Sequence, residues 1–176
     1  KEAVFKVPIV GWVLYKAEQI PVKRESNSAA VALGEAISAL KMGHAIAIYP
    51  EGTLTRDENL WPMTGKTGAV RLALAANAPL IPVAQWGDQE ILGPYSKRLR
   101  LFPRKLVSLK CGDPLDLSKW MGKVDDPEAM EEATSYAMSV LAEMVGELRN
   151  EVAPKVLFDI RKSDLPRTGN FRKKRK

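Results

Sequence analysis

The segment IAIYPEGTLTRDENLWP, residues 46–62, places a carboxylate, a glycine and a hydroxyl side by side at the end of an apolar run. Glu51 can accept hydrogen bonds from ligand hydroxyls, and Thr53 adds a hydroxyl of its own. Gly52 between them permits a positive φ or a close backbone approach. A turn followed by a helix cap uses the same residue types, and composition alone favours that simpler interpretation. The triplet is therefore a candidate binding site whose meaning depends on its position in the fold.

Lys66 is a second candidate, within TGKTG at residues 64–68. This sequence resembles part of a nucleotide-binding loop, but the full pattern needs a glycine where Leu60 stands, which excludes a nucleotide triphosphatase. Lys66 is instead predicted at a helix start, where backbone N–H groups and an ammonium both favour a phosphate. A solvated lysine explains the position equally well.

Neither a catalytic triad nor a metal site is predicted. His44, the only histidine, opens the strand that is predicted to end before Glu51, which would separate the two side chains by roughly 16–20 Å. A structural role at the strand entry is therefore expected for His44. Cys111 is the only cysteine, which excludes an internal disulfide, and no Cys/His group has zinc-site spacing.

The elements that must position these residues begin with a helix over residues 27–42, capped by Ser26 or Asn27 and ended by Gly43. Its apolar residues fall at helical spacing on one face: Leu33, Ala36, Ile37 and Leu40. The segment HAIAIYP, residues 44–50, is predicted to follow as a buried strand. Glu51 would then lie directly beyond the carboxyl end of that strand.

Helices and strands are predicted to alternate through the rest of the chain. A second helix is expected from about Gly65 to Asn77, strands over 79–86 and 105–112, and a long helix from Asp126-Pro127 to about Asn150. This order predicts an α/β fold with a mostly parallel central sheet flanked by helices and a long C-terminal helix. Ligands bind such sheets outside the carboxyl ends of the strands, which favours a functional interpretation of Glu51.

Positive charge is concentrated near the C-terminus. The 176 residues carry a net charge of +6, whereas residues 155–176 hold nine Lys/Arg and two Asp/Glu, a net of +7, which leaves −1 on residues 1–154. We therefore expect one domain over 1–154 and a disordered basic tail over 155–176. The tail either only improves solubility or is attracted to anionic lipid or nucleic acid.

Several segments then resemble a known family in order and spacing: KEAVFKVPIVGW, AEQIPVKRES, YPEGTLT, GKTGAVRLAL and APLIPVAQWG. Over residues 1 to about 115 the sequence is similar to the 1-acylglycerol-3-phosphate (lysophosphatidic acid) acyltransferases and related glycerophospholipid acyltransferases. Lys23 and Leu54 depart from the family pattern, where an Asp and an Arg are usual, and Arg56 is a candidate replacement for that Arg. One such match would be weak, but several matching segments in order are a specific signal.

The resemblance implies roles for the matching residues. Four of them would hold the glycerol phosphate of the acceptor: Arg24, Glu51, Gly52 and Thr53. Lys66 would add positive charge at the same place. Pro82, in the segment APLIPVAQWG that resembles the family's fourth motif, would shape the acyl-binding side.

The resemblance also implies that a catalytic pair is absent from this chain. The family's first motif is Asn-His-x-x-x-x-Asp, in which the histidine removes the proton of the acceptor hydroxyl. Tyr49 stands where the aspartate would follow His44, so the 176 residues do not contain that motif. Residues 1–154 are therefore expected to be an acyltransferase domain without its N-terminal catalytic segment, and inactive alone.

The function implied is acyl transfer from acyl-CoA or acyl carrier protein to 1-acylglycerol-3-phosphate, giving phosphatidic acid, with no metal or organic cofactor. The expected partners are a lysophospholipid acceptor, the acyl donor and a membrane surface, bound peripherally on the cytoplasmic face. Another glycerolipid or glycolipid acceptor is the nearest alternative, because the acceptor motifs are imperfect. A basic nucleic-acid-binding protein is the alternative of another class. It is disfavoured because residues 1–154 are nearly neutral and their aromatic residues are not interleaved with Lys/Arg.

Overall fold

The structure, a computed structural model, describes residues 11–12, 16, 28–96 and 98–166 of the chain. Arg24, the predicted helix caps Ser26 and Asn27, and residues 167–176 of the basic tail lie outside the described residues. The chain divides into two compact units, one of Lys1–Ala47 and Ala75–Ala78, the other of Ile48–Leu74 and Pro79–Lys176.

The first unit contains helix α1, Ser28–Lys41, close to the predicted range of 27–42. Gly43 ends the helix with φ +88°, as predicted. The His44 N–H donates to Ala39 C=O at 3.1 Å and the Gly43 N–H donates to Leu40 C=O at 3.0 Å. These two bonds form a Schellman motif, which favours glycine because its central residue is left-handed.

The strand predicted over residues 44–50 is wrong. No ladder forms there within the part of the chain that the structure describes, and Tyr49 is 84% exposed. An apolar run with β-branched residues shows that a segment could fit a sheet, but a strand exists only when a partner strand pairs with it. The only sheet among the described residues lies later in the chain.

The second unit is built around a two-stranded sheet and a long helix. Helix α2 is Gly68–Ala76, whose last residues extend into the first unit. Strand β1 is Val83–Trp86, helix α3 is Asp88–Ile91, strand β2 is Ser108–Cys111 and helix α4 is Pro127–Arg149. Short 3₁₀ helices lie at Ser118–Trp120 and Ile160–Lys162.

Strands β1 and β2 pair antiparallel, with Val83 opposite Cys111 and Trp86 opposite Ser108. Both strands were predicted in these regions, but the mostly parallel central sheet was not found and that fold class is wrong. A parallel pair needs a long crossover, usually a helix. The connection between β1 and β2 contains only the short helix α3, so the chain returns in the opposite direction.

Helix α4 begins and ends as its sequence predicts. The Asp126 side chain accepts from the N–H groups of Glu128 and Ala129, Pro127 occupies the first turn, and Asn150 closes the helix in a left-handed conformation. Two apolar clusters lie along the buried face of this helix. One is formed with α2 and the first 3₁₀ helix, around Val70, Trp120, Met130 and Ala133.

The other cluster joins α4 to the sheet, around Trp61, Ala84, Met144 and Val145. Only one face of the sheet is covered in this way, because Ala84 is buried whereas Val83 and Leu109 remain 47% and 61% exposed. No helix among the described residues is both long enough and apolar enough to be a membrane span.

Candidate functional site

The Glu51-Gly52-Thr53 triplet begins in a tight turn of the second unit. The Gly52 N–H donates to Tyr49 C=O at 3.0 Å, and Gly52 has φ +66°. Residues other than glycine adopt this left-handed backbone conformation only at a cost in free energy. The Lys66 N–H donates to Pro50 C=O at 2.9 Å. This last bond ties the turn to the segment that leads into α2, so residues 50–53 and 66 are fixed together.

The Glu51 carboxyl is largely withdrawn from water. Its Oε2 atom is buried with no hydrogen-bond partner, and the backbone N–H of Met63 donates to the carboxyl. Burial raises the pKa of Glu51 to about 7, and the Met63 hydrogen bond opposes that rise only in part. A buried oxygen without a partner is costly in an isolated protein, which is consistent with a ligand hydroxyl or cation completing the site.

The Lys66 side chain lies across Gly52. A Cβ built on Gly52 would be 3.4 Å from the Lys66 Nζ and 3.5 Å from its Cε, so the absence of a side chain at 52 leaves space for the ammonium. Within the described part of the chain no acidic group forms an ion pair with Lys66. The ammonium is exposed and is therefore available to an anion.

The loop after the triplet brings Met63 back to Glu51. The Asp57 Oδ1 accepts from the N–H groups of Asn59 at 2.9 Å and Trp61 at 3.1 Å, and the Thr55 hydroxyl donates to Trp61 C=O at 2.6 Å. The Arg56 N–H donates to the Met63 sulfur at 3.0 Å. These bonds fold residues 55–63 onto themselves, which places the Met63 N–H against the carboxyl.

A segment near the C-terminus supports this loop. Met63 forms a parallel β-bridge with Phe158, and the Thr64 N–H donates to Phe158 C=O at 3.0 Å. The Thr64 hydroxyl also donates to the Asp159 carboxylate at 3.2 Å. Residues beyond α4 thus hold the strand-like segment that carries the hydrogen bond to Glu51.

Helix α4 fixes the other side of the same segment. A Cβ on Gly65 would lie 2.9 Å from the Met138 sulfur and 3.2 Å from Thr134 Cγ2, so only glycine permits this approach without displacing a neighbour. Gly65 therefore sets how closely Lys66 and its backbone approach the core.

The structure brings together Glu51, Gly52 and Lys66 from the predicted set, and half-buried Thr53 follows them in the chain. Pro82 is buried elsewhere in the second unit, where its C=O accepts from the Gly112 N–H at 2.9 Å at the start of the sheet. Arg24 lies outside the described residues. His44 belongs to the first unit and is exposed.

Sequence reasoning missed Met63 and the burial of Arg56. Arg56 is 2% exposed, its guanidinium lies 5.2 Å from the Tyr95 ring centroid, and burial lowers its pKa. Leu54, where the family usually has an arginine, is 55% exposed. The Asp57-Glu58-Asn59 run is a turn signal that could have predicted the reversal, but it could not predict which backbone N–H would meet Glu51.

The turn carries a buried acceptor group at Glu51, and the exposed Lys66 side chain lies across the next residue, Gly52. These groups suit a ligand that carries a hydroxyl donor and an anionic group. Among the described residues no three His, Cys, Asp or Glu side chains cluster as they would around a metal ion.

The chain is similar to known acyltransferases. A family model described as Acyltransferase matches residues 1–86, a range that contains every predicted site residue. The 1-acyl-sn-glycerol-3-phosphate acyltransferase of Escherichia coli (strain K12) is 26% identical over 159 residues, which are 88% of this chain and 59% of that protein. The protein of the same name from Bacillus subtilis (strain 168) is 32% identical over 115 residues, 65% of this chain and 52% of that protein.

A crystal structure of the 1-acyl-sn-glycerophosphate (LPA) acyltransferase PlsC from Thermotoga maritima matches with a TM-score of 0.59 at 24% identity, over 87% of this chain and 56% of that chain. At that identity the match shows a shared fold. This chain spans 26% to 59% of the length of the curated relatives that it matches. Residues 1–86 thus match the Acyltransferase family model, and the chain is similar to the 1-acyl-sn-glycerol-3-phosphate acyltransferases.

Proposed function

We propose that this chain is the acceptor-binding part of an enzyme that transfers an acyl group to 1-acylglycerol-3-phosphate and makes phosphatidic acid. The observation that carries the proposal is the Glu51 carboxyl, buried with one oxygen unsatisfied, next in the chain to Gly52, across which the Lys66 side chain lies. 1-Acylglycerol-3-phosphate has one free hydroxyl and one phosphate on the same glycerol. The names of the relatives support the same acceptor.

Each side chain has a distinct part in this proposal. Glu51 accepts a hydrogen bond from a glycerol hydroxyl, and Lys66 neutralises the phosphate through a charge-assisted contact. Gly52 keeps the approach to the ammonium open, and Thr53 adds a hydroxyl. Arg24 is proposed as a further phosphate ligand and Pro82 as a residue of the acyl-binding side, both from the family pattern.

The reaction step itself needs a base that these residues do not supply. In the proposed mechanism a histidine of a His-x-x-x-x-Asp pair takes the proton of the acceptor hydroxyl, which then attacks the thioester carbonyl of acyl-CoA or acyl carrier protein. The carrier thiol leaves as the ester forms. Residues 1–154 were expected to be the acyltransferase domain and 155–176 a basic C-terminal tail. Because Phe158 and Asp159 contact Met63 and Thr64, we propose that the start of this basic segment belongs with the domain that positions the acceptor. The protein would act as a peripheral protein on the cytoplasmic face of the membrane.

A comparison of acceptors with and without a phosphate tests the assignment. In the full-length protein, Lys66→Gln should raise the KM for 1-acylglycerol-3-phosphate, because a charge-assisted contact contributes about 1.5–3 kcal/mol, or about 10- to 150-fold. With monoacylglycerol, which has no phosphate, the same substitution should change the KM little. The KM for the acyl donor should stay constant.

Lys123→Gln is the matched control, because Lys123 is also exposed and lies away from the turn. A fall in activity of equal size with both acceptors would contradict a phosphate contact at Lys66. Preference of the unmodified protein for a phosphate-free acceptor would overturn the substrate assignment in favour of another glycerolipid.

A further inference from the structure

The connection between α3 and β2 contains an unusual surface segment, RLRLFPRKL at residues 98–106, which we call the basic–apolar loop. It carries four Lys/Arg and no acidic residue. Its large apolar side chains are nevertheless exposed: Leu99 59%, Leu101 57%, Phe102 87% and Leu106 83%. Scattered exposed apolar residues are ordinary, but four within nine consecutive residues form a patch of the kind that marks an interaction site.

Both ends of the basic–apolar loop are fixed to the second unit. The Arg100 N–H donates to Ile91 C=O at 2.8 Å, at the end of α3. At the other end the Leu106 backbone passes so close to Gly87 that any Cβ at position 87 would collide with the Leu106 carbonyl oxygen. Residues 101–105 lie between these two attachments, so both of their ends are fixed to the second unit.

Six side chains of the basic–apolar loop line a shallow concave surface of about 510 Å³: Arg98, Leu99, Arg100, Leu101, Phe102 and Lys105. Three of them are cations and three are apolar. None of the described acidic side chains forms an ion pair with these cations. The concave surface is thus complementary to a ligand that presents anionic groups and hydrocarbon at the same boundary.

We propose that the basic–apolar loop is a docking surface for an anionic phospholipid bilayer. Leu101 and Phe102 enter the boundary between headgroups and acyl chains, while arginine and lysine side chains reach the phosphates, an arrangement in which their long stems remain in contact with hydrocarbon. Nucleic acid would use the cations but would leave the aliphatic side chains in water. A bilayer is favoured because it satisfies both chemistries of the loop.

The basic residues of the loop should contribute a salt-dependent part of the affinity for the bilayer. Each basic residue close to an anionic surface strengthens binding about fivefold at low salt, and the gain decreases as salt screens it. Removing three charges should therefore weaken binding about a hundredfold. The apolar part should persist at high salt.

The first experiment measures co-flotation of the whole chain with vesicles of phosphatidylcholine mixed with phosphatidylglycerol, and with vesicles of phosphatidylcholine alone. The affinity for the mixed vesicles should fall about a hundredfold in the triple variant Arg98→Gln/Arg100→Gln/Lys105→Gln. The binding that persists at high salt should be lost in the double variant Leu101→Ser/Phe102→Ser. The charge-matched control is Lys41→Gln/Lys123→Gln/Lys155→Gln. Val152→Ser/Val156→Ser is the apolar control, because these side chains are 94% and 85% exposed.

The second experiment measures membrane contact at the basic–apolar loop itself, so that membrane binding through the basic tail cannot give the same result. An environment-sensitive fluorophore is attached to Phe102→Cys in a Cys111→Ser background, and in a control protein to Val152→Cys. Mixed vesicles should shift the emission of the fluorophore at 102 to the blue and leave that at 152 unchanged. No shift at 102 under conditions where the protein co-floats would overturn the proposal.

Two other results would also overturn it. One is equal vesicle affinity of the loop variants and their matched controls. The other is loop-dependent binding to an oligonucleotide without vesicle binding, which would assign the loop to nucleic acid. The proposal adds a membrane contact to the proposed function. Its assays contain neither acyl donor nor acceptor, so they can fail while the acceptor assignment stands.

Discussion

At the scale of single residues, Glu51 is a carboxyl whose ionisation opposes folding. Burial raises its pKa to about 7 from an ordinary 4.5. Between these two pH values the folded protein keeps a proton that the unfolded chain has released. The free energy of unfolding therefore falls as pH rises through this window, and the full loss is present above pH 7.

Glu51→Gln should reverse that loss, because an amide cannot ionise. Relative to the unmodified chain, the stability of the variant should rise by about 1–3 kcal/mol on going from pH 4.5 to above pH 7. Urea unfolding at the two pH values measures the difference. Glu58→Gln, on an exposed side chain of the same loop, is the control. A Glu51→Gln effect that is the same at both pH values would contradict the buried, ionisable state of this carboxyl.

Gly52 differs from the nearby Gly68 in backbone conformation. Gly52 has φ +66° and faces the Lys66 side chain, whereas a Cβ on Gly68 would meet open space. Gly52→Ala should therefore lower the free energy of unfolding by roughly 1–2 kcal/mol, the cost of a left-handed residue with a side chain. Gly68→Ala, in the first turn of α2, should cause no loss. Urea unfolding of both variants tests this, and equal destabilisation would show that the turn is not held in the left-handed conformation.

At the scale of elements, Arg149 connects three parts of the second unit. Its guanidinium carbon lies 4.0 Å from the Trp61 ring centroid and 4.4 Å from that of Trp86. Its Nη1 donates to Asn59 C=O at 2.8 Å, and its Nη2 donates to the Glu151 carboxylate at 2.7 Å. The end of α4 is thereby joined to β1 and to the loop that carries Met63.

Substitution of Arg149 should cost far more than substitution of an exposed arginine. Its side chain is 8% exposed, while that of Arg161, which also forms ion pairs, is 51% exposed. Arg149→Met should lower the free energy of unfolding by about 2–3 kcal/mol, because stacking against two tryptophan rings and the hydrogen bond to Asn59 C=O are lost together. Arg161→Met should cost less than about 1 kcal/mol, as surface ion pairs do. Denaturant unfolding of the two variants would show similar losses if the stacked arrangement did not contribute.

Some of these helices and strands could be predicted from the sequence. Helices α1 and α4 follow from local signals, since Gly43 supplies the left-handed end of one and Asp126-Pro127 the start of the other. The strands near Val83 and Ser108 follow from apolar, β-branched runs. Their antiparallel pairing could not be predicted from those runs, because pairing depends on where the connecting chain goes.

Some features of the candidate site could be predicted from the sequence and others could not. The turn at Gly52 and its nearness to Lys66 follow from short-range residue types and the family pattern. The burial of Glu51 does not, because it depends on Met63 returning through the loop at Asp57 and on Phe158, which comes from the far end of the chain. The pKa of about 7 therefore could not be predicted from the residues next to Glu51 in the sequence.

At the scale of the whole molecule, binding and turnover should separate in this chain. Acyl transfer needs a base within about 2.6–3.2 Å of the hydroxyl proton, directly or through one water. His44 is the only histidine, and Tyr49 stands where its aspartate partner would be. The proposed acceptor residues that the structure describes and brings together, Glu51, Gly52 and Lys66, by contrast all lie in the second unit.

The purified 176-residue chain should therefore bind 1-acylglycerol-3-phosphate without transferring an acyl group to it. A ligand at a hundred times its dissociation constant raises the free energy of unfolding by about 2.7 kcal/mol, so binding should appear as increased stability that Lys66→Gln removes. Monoacylglycerol is the control ligand and should stabilise the chain much less. Labelled acyl-CoA added with the acceptor should give no turnover. Turnover that survives His44→Ala but disappears in Glu51→Gln would contradict this prediction, because it would make the carboxyl with a pKa of about 7 the base rather than a binding group.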